Sequence, residues 1–224
     1  MGGREEAGRT PARPQAIVFD LDGTLIDSQE DVLAAFGAAF GSLGLPMPPR
    51  ERLLRVIGLR LETCFLPFVG GDEALAAQGA IRFREHYAAH HLDHTLPYPG
   101  AGEALLRLSR RVPLGLCTMK RRDFMEKILR AFRWESRFRA VLGSEEGFPP
   151  KPEPAMLREV LRRLGTAPEH ALYVGDTWMD AAMAEGAGVP FAFAAYGYGD
   201  EAEVDGHKVH LRLESPRELL SLAR

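Results

Sequence analysis

The chain has 224 residues, 46% of them hydrophobic and 26% charged, with a formal net charge of −3. That length suits one α/β domain plus a modest insertion, and the small net charge gives no bulk attraction to nucleic acid or to an anionic membrane surface. No apolar run approaches the roughly 18 residues of a membrane span, residues 1–14 lack the apolar stretch of a signal peptide and read as a disordered lead, and two cysteines, Cys64 and Cys117, fit a cytoplasmic protein with free thiols better than a disulfide framework.

The first element lies in AIVFDLDGTLIDS, residues 16–28. An apolar run bounded by turn residues predicts a buried strand, here ending in Asp20 with a second carboxylate at Asp22. Buried carboxylates are costly unless paired, hydrogen-bonded or metal-bound, and ligands of open α/β sheets sit beyond the carboxyl ends of the strands. The stretch therefore predicts a reactive carboxylate pair at a strand tip. Ser28 and Asp31 predict an N-cap pair, a variant of the capping box, for a helix carrying Val32, Leu33, Phe36, Phe40 and Leu43 and ending at Gly44. A second helical piece over 51–57 stops at Gly58. A third runs over 74–92 with Leu75, Ile81, Phe83 and Tyr87 as its apolar positions. Nothing between residues 28 and 96 reads as a strand.

The pattern then alternates. Helices are expected over 101–111, 122–132, 154–164, 180–187 and 216–222, and strands over 114–118, 140–143, 171–174, 191–194 and, more weakly, 209–213. Strands separated by helices imply right-handed crossovers and a doubly wound parallel sheet. Residues 15–27 and 97–224 would form this α/β core domain, and residues 28–96 a helical cap domain inserted directly after the reactive strand, placed to act as a lid. Segments 24–27 and 96–100 are the natural hinge strands.

Four polar clusters fall where strands or loops would end on one rim: Asp20 with Asp22, Thr118 after LGLC, Lys151 in PPKPEP, and Asp176 with Asp180 after LYVG. Carboxylates without His or Cys favour a hard, oxygen-seeking ion such as Mg²⁺. A hydroxyl and a lysine around such an ion suit a phosphoryl group, and a carboxylate there can attack phosphorus and form an aspartyl-phosphate.

These clusters resemble the four motifs of the haloacid dehalogenase-like (HAD) superfamily: DxDGT, a strand-end Thr or Ser, a Lys, and GDxxxD. Here they read Asp20-Leu21-Asp22-Gly23-Thr24, Thr118, Lys151-Pro152 and Gly175-Asp176 through Asp180, in the family's order. The insertion resembles the family's helical C1 cap, over a Rossmann-like core. The resemblance implies Asp20 as nucleophile and Asp22 as the acid that protonates the leaving alcohol and then activates water. It also implies that Asp20, Asp176 and the backbone carbonyl of Asp22 hold Mg²⁺, that Thr118 and Lys151 bind the phosphate oxygens, and that Asp180 orients Lys151 or a metal-bound water. The dehalogenase branch lacks the second aspartate, so Asp22 turns the reading from carbon–chlorine bonds to phosphate esters. DGTLIDS, KPEP, VGDT, PYPG and the Tyr196-Gly197-Tyr198 tail resemble the phosphoglycolate phosphatase group. In one departure, the usual Thr-Asn-Lys is Thr118-Met119-Lys120.

The expected activity is Mg²⁺-dependent hydrolysis of a small phosphorylated metabolite by a monomer or homodimer, with no nucleic-acid or membrane partner. A pyrophosphatase or phosphosugar mutase of the same superfamily, and a non-catalytic binding protein on this fold, are the alternatives. Arg60, after Gly58 in the cap, is the candidate for binding a substrate carboxylate. His86, His90 and His94 share the spacing of one helical face, which reads as solvated cap surface rather than a zinc site. Cys117 reads as a small buried hydrophobe, and Trp178 as packing beneath the last catalytic loop.

Overall fold

The structure, a computed structural model, describes residues 13–144 and 146–223. The expected lead lies, through residue 12, outside the described residues. β1 (Ala16–Phe19) is wholly buried, and it is central to a six-stranded sheet. Its parallel neighbours are β4 (Leu114–Arg121) and β6 (Ala171–Gly175). β5 (Ala140–Ser144) lies outside β4, and β7 (Phe191–Ala194) and β8 (Leu211–Leu213) follow β6, giving the order β5-β4-β1-β6-β7-β8 with every pairing parallel. Parallel strands need crossovers and end with helices on both faces.

Alternation along β1 shows how the faces are filled. Ile17 and Phe19 pack with α5 (Ala101–Leu108) and α6 (Arg122–Ala131), through Leu105, Met125 and Ile128. Val18 points the other way, toward α7 (Ala155–Leu164) and α8 (Trp178–Ala187), with Leu157, Val160 and Met183. The doubly wound parallel sheet is the architecture expected from the sequence.

Between Ser28 and Leu96 the chain makes α1 (Gln29–Ser42), α2 (Arg50–Leu54), α3 (Leu61–Phe65) and α4 (Glu73–His90). α1 and α4 pack face to face around Phe36, Phe40, Phe65 and Phe83, whose ring centroids lie 4.9–5.2 Å apart for Phe36–Phe83, Phe36–Phe65 and Phe40–Phe65. Two short strands join this block to the core: β2 (Ile26–Asp27) pairs antiparallel with β3 (Leu96–Pro97). Gly44, at φ +69°, follows the end of α1, where a left-handed residue terminates a helix most easily. Among the described residues, no helix is long and apolar enough to cross a membrane.

Four local expectations are corrected. β4 continues past Thr118 to Arg121 across an irregular register against β5. Ile81 is 52% exposed: the buried face of α4 runs through Ala76, Ala80, Phe83 and Tyr87, and Ile81 lies one residue, about 100°, off that stripe. The last segment, Pro216–Ala223, is 3₁₀ rather than α-helical.

The fourth correction is the cap pair. Ser28 makes no side-chain capping bond to α1; its hydroxyl donates to Asp22 instead. Asp31 is buried and accepts hydrogen bonds from the backbone N–H groups of His94 and Thr95 and from the Thr95 hydroxyl, at 2.7–2.9 Å. Burial would raise its pKa, but these bonds outweigh burial and hold it below the ordinary carboxylate range. Both residues are locally suited to capping, yet Ser28 turns back to Asp22 and Asp31 finds its donors across the two-stranded hinge.

Candidate active site

β1 ends at Phe19, and Asp20 follows it onto the rim of the sheet, with its N–H bonded to the Val174 carbonyl of β6. The chain then turns through Gly23, at φ +77°, a conformation that favours glycine. A Cβ on Gly23 would stand 2.1 Å from Asp176 Oδ2, and one on Gly197 would stand 2.3 Å from the Asp176 Cβ. Glycines on two loops thus let Asp176 approach the turn after β1. Asp176 accepts from Thr24 Oγ1 at 3.1 Å and from the Tyr198 N–H at 2.8 Å.

Lys151 is buried between two carboxylates. Its Nζ lies 2.8 Å from Asp20 Oδ1 and 2.6 Å from Asp180 Oδ1. Asp180 also accepts from the Tyr173 hydroxyl at 2.8 Å and from the Thr177 hydroxyl at 2.7 Å. With the Thr177 N–H it completes a capping box at the start of α8. Asp180 therefore caps a helix and fixes Lys151 at the same time. Burial opposes its ionisation, but Lys151 and the hydrogen bonds from Thr177 and Tyr173 outweigh burial and keep its pKa low. Burial also works against the Lys151 ammonium, and the facing Asp180 and Asp20 more than reverse it.

Asp20 and Asp176 behave differently. Burial, with the nearby Asp180 adding to it, raises Asp20 to about 6 despite the attraction of Lys151. Asp176 is raised too, first by burial and then by Asp180 and Asp20. Buried carboxylates this close are an excess of negative charge that one lysine does not neutralise. Oxygens of Asp20, Asp176 and Asp180 lie within 4.8 Å of one another. Asp20 Oδ1, although near Lys151, lacks a well-oriented hydrogen bond. An all-oxygen, anionic, incompletely satisfied set fits a hard divalent cation. Asp180 is already filled by its donors, which leaves Asp20 and Asp176 as the carboxylates with free capacity.

Asp22 stands apart from that triad. Its Oδ1 accepts from Ser28 Oγ at 2.5 Å and faces Lys120 Nζ at 3.0 Å. Lys120 in turn donates to the Tyr87 hydroxyl of α4 at 2.6 Å. Burial would lower the Lys120 pKa, but Asp22 and Tyr87 outweigh it and hold the ammonium charged. Neither Lys120 nor Tyr87 was a predicted site residue. The signal was present in the motif itself: Thr118 and Lys120 are two apart on an extended strand and so project to one side.

A cavity of about 440 Å³ lies over the strand tips, between them and the cap. Asp20, Asp22, Thr118, Lys151 and Asp176 border it from the core, and Arg60 reaches it from the cap. Much of the cap wall is apolar, through Phe36, Ile57, Leu59 and Phe83. Thr118 is buried at the cavity and its hydroxyl accepts from the Lys120 N–H at 3.2 Å. Asp180 lies behind Lys151. The predicted residues of all four motifs are thus brought together at one rim.

The remaining candidates resolve separately. Cys117 is buried and free in β4, with its thiol pushed up to about 12 by burial, as a small hydrophobe would be. Trp178 is half-buried against the α7–α8 side of the core. His94 lies beyond α4 and faces Asp31, while His90 pairs with Asp93 at 2.8 Å. Among the described residues, the one cluster suited to a metal is the aspartate triad.

A doubly wound parallel sheet, a helical cap over the strand tips and carboxylates clustered around a lysine together define a capped enzyme with a Rossmann-like core. The chain belongs to the haloacid dehalogenase-like hydrolase family, whose profile matches residues 17–194. It is 32% identical over 215 residues to a Pseudomonas putida protein named phosphoglycolate phosphatase, covering 92% of this chain and 79% of that one. It is 34% identical over 193 residues to a Pseudomonas aeruginosa protein named 5'-nucleotidase, covering 86% and 87% of the two chains. Among solved structures, a haloacid dehalogenase-like family hydrolase from Streptococcus pneumoniae matches with a TM-score of 0.87 at 26% identity, over 94% of this chain and 99% of that one. The resemblance drawn from the four motifs is borne out.

Proposed function

We propose that the protein is a cytoplasmic, Mg²⁺-dependent phosphatase that hydrolyses a small phosphomonoester, of the phosphoglycolate type, through an aspartyl-phosphate. The observation that carries this is the Asp20–Lys151–Asp180 chain beside Asp176 near the tips of β1 and β6, under the cavity between sheet and cap. Lys151 and Thr118 bind the phosphoryl oxygens and place phosphorus in line with Asp20. A carboxylate oxygen of Asp20 bonds to phosphorus as the ester P–O bond breaks, and Asp22 gives the departing alcohol its proton. Asp22, now a carboxylate, takes a proton from water as the water oxygen attacks the aspartyl-phosphate, releasing phosphate and restoring Asp20. Asp20, Asp176 and the Asp22 carbonyl would hold a divalent cation, which would supply positive charge against the phosphoryl oxygens. The buried, free cysteines support the cytoplasmic assignment.

The carboxylate of a phosphoglycolate-like substrate has a partner in Arg60, an exposed guanidinium at the start of α3 that borders the cavity. A nucleoside monophosphate is the second reading, favoured by the apolar cap wall and the size of the cavity. A screen of phosphorylated metabolites that includes phosphoglycolate, 5'-nucleotides, sugar phosphates and pyrophosphate, reading free phosphate with and without Mg²⁺, tests both. Release of phosphate only from a non-ester, or no dependence on a divalent ion, sinks the proposal.

A further inference from the structure

Asp22 is the one carboxylate of the site held by Ser28 at the hinge and Lys120 of β4 rather than by the aspartate–lysine cluster. Ser28, its first donor, stands between β2 and α1, where the chain leaves for the cap. Lys120, its second, is a buried cation in the irregular stretch of β4. Both converge on Oδ1. Because Asp22 borders the cavity, Oδ2 is the oxygen left to meet a leaving group.

Lys120 is itself fastened from above. It donates to the Tyr87 hydroxyl at 2.6 Å, and its Nζ lies 4.7 Å from the Tyr87 ring centroid. Tyr87 is buried, stacked on Phe83 of the cap at 5.4 Å and edge-on to Phe124 of the core at 5.0 Å. The tyrosine is therefore packed into both halves of the molecule at once, and its hydroxyl meets Lys120 only where α4 is seated on α6.

We propose that Lys120 is a positioning residue that aims the Asp22 carboxyl at the ester oxygen, and that Tyr87 holds Lys120 in that pose when the cap is seated. This rests on the acid–base reading of Asp22. The consequence is chemical: the proton is available to the leaving alcohol only under a seated cap, so the acid is assembled with the closed site. A general acid acts only within hydrogen-bond reach of the atom it protonates, and a displacement near 1 Å is enough to lose much of its effect.

A positioning role and a merely structural one differ in their dependence on the leaving group. An alkoxide needs a proton as it departs, whereas p-nitrophenolate leaves well without one. The test is steady-state kinetics of the full-length protein with Mg²⁺, on the alkyl phosphomonoester it turns over fastest and on p-nitrophenyl phosphate. Tyr87→Phe, which removes one hydroxyl and keeps the packing, is expected to lower kcat/KM, which reports the step that expels the leaving group, about tenfold on the alkyl ester, and to cost at least fivefold less on p-nitrophenyl phosphate. Lys120→Met should show the same grading at about 100-fold on the alkyl ester. In an Asp22→Ala background, Tyr87→Phe should add nothing.

Equal losses on the two substrates, or no loss from Tyr87→Phe on either, overturn the proposal. If Asp22→Ala alone is graded by leaving group while Tyr87→Phe is not, only the positioning role fails. If Asp22→Ala is ungraded, the acid–base reading falls and the positioning role falls with it. Should Lys120→Met fail to fold, Tyr87→Phe and its cycle with Asp22→Ala still decide the outcome.

Discussion

The rim of the sheet and the cap face each other across one cavity, and they are held together by different forces. On the rim, directional polar contacts set each position: Lys151 between Asp20 and Asp180, Asp180 on Thr177 and Tyr173, Asp176 on Thr24 and the Tyr198 N–H. In the cap, Phe36, Phe40, Phe65 and Phe83 are fitted by shape alone. Polar lattices fix atoms to fractions of an ångström, as transfer of a phosphoryl group requires. Apolar packing tolerates swaps that conserve volume at a modest cost. Substitutions on the rim should therefore remove chemistry, and substitutions in the cap should change stability or substrate preference. Tyr87 and Lys120 join the two regimes.

The sharpest way to break that contrast is at Asp20. Asp20→Asn keeps the shape and removes the nucleophile, and should lower kcat on p-nitrophenyl phosphate by at least about 10⁴-fold. Retained activity refutes the nucleophile assignment. In the cap, Phe36→Ala should destabilise by about 3–5 kcal/mol, the usual range for emptying an aromatic site in a core, read from urea unfolding. A change below 1 kcal/mol would mean the cap core is not packed as described.

The rim's charge can be tested without catalysis. Asp20 has a folded pKa of about 6 against an ordinary value of 3.8. An acid whose folded pKa is raised takes up a proton on folding, so metal-free protein loses stability as pH rises from about 4 to about 6 and stays lower above that. At pH 7.5 without divalent ions, Asp20→Asn should thus be more stable than the parent by about 1–3 kcal/mol. Mg²⁺ should raise the melting temperature of the parent more than that of the variant. A variant no more stable than the metal-free parent contradicts the charge excess. The smallest effect is at Arg60: Arg60→Ala should lower kcat/KM about tenfold for phosphoglycolate and leave uncharged esters within about twofold. An unchanged value for phosphoglycolate removes Arg60 from substrate binding.

Asp20, Thr118 and Asp176 were legible because each stands at or near a strand end, and a parallel sheet brings strand ends to one rim whatever lies between them; Lys151, in the turn before α7, and Asp180, in the first turn of α8, were legible from the motifs around them. Ser28 and Asp31 were misread for the opposite reason. Their types and spacing satisfy a local capping rule, but their partners are Asp22, His94 and Thr95, and nothing local in the sequence ranks a distant partner against a near one. Ile81 failed on a finer point, since an apolar residue one place off the stripe of α4 satisfies composition but not direction.

By itself, then, the sequence determined the parallel architecture, the placement of the helical block and the residue types at the strand tips, because periodicity and strand–helix alternation are written residue by residue. The tertiary structure alone decided which oxygen of which carboxylate is already occupied. Asp180 is filled by Lys151, Tyr173 and Thr177, Asp20 and Asp176 keep unneutralised charge, and Asp22 is held by a lysine that is in turn held by a tyrosine of the cap. Those assignments depend on donor–acceptor distances and angles that the folded chain sets, most of them between residues of different elements, and a hydrogen bond is lost when either departs from its narrow range.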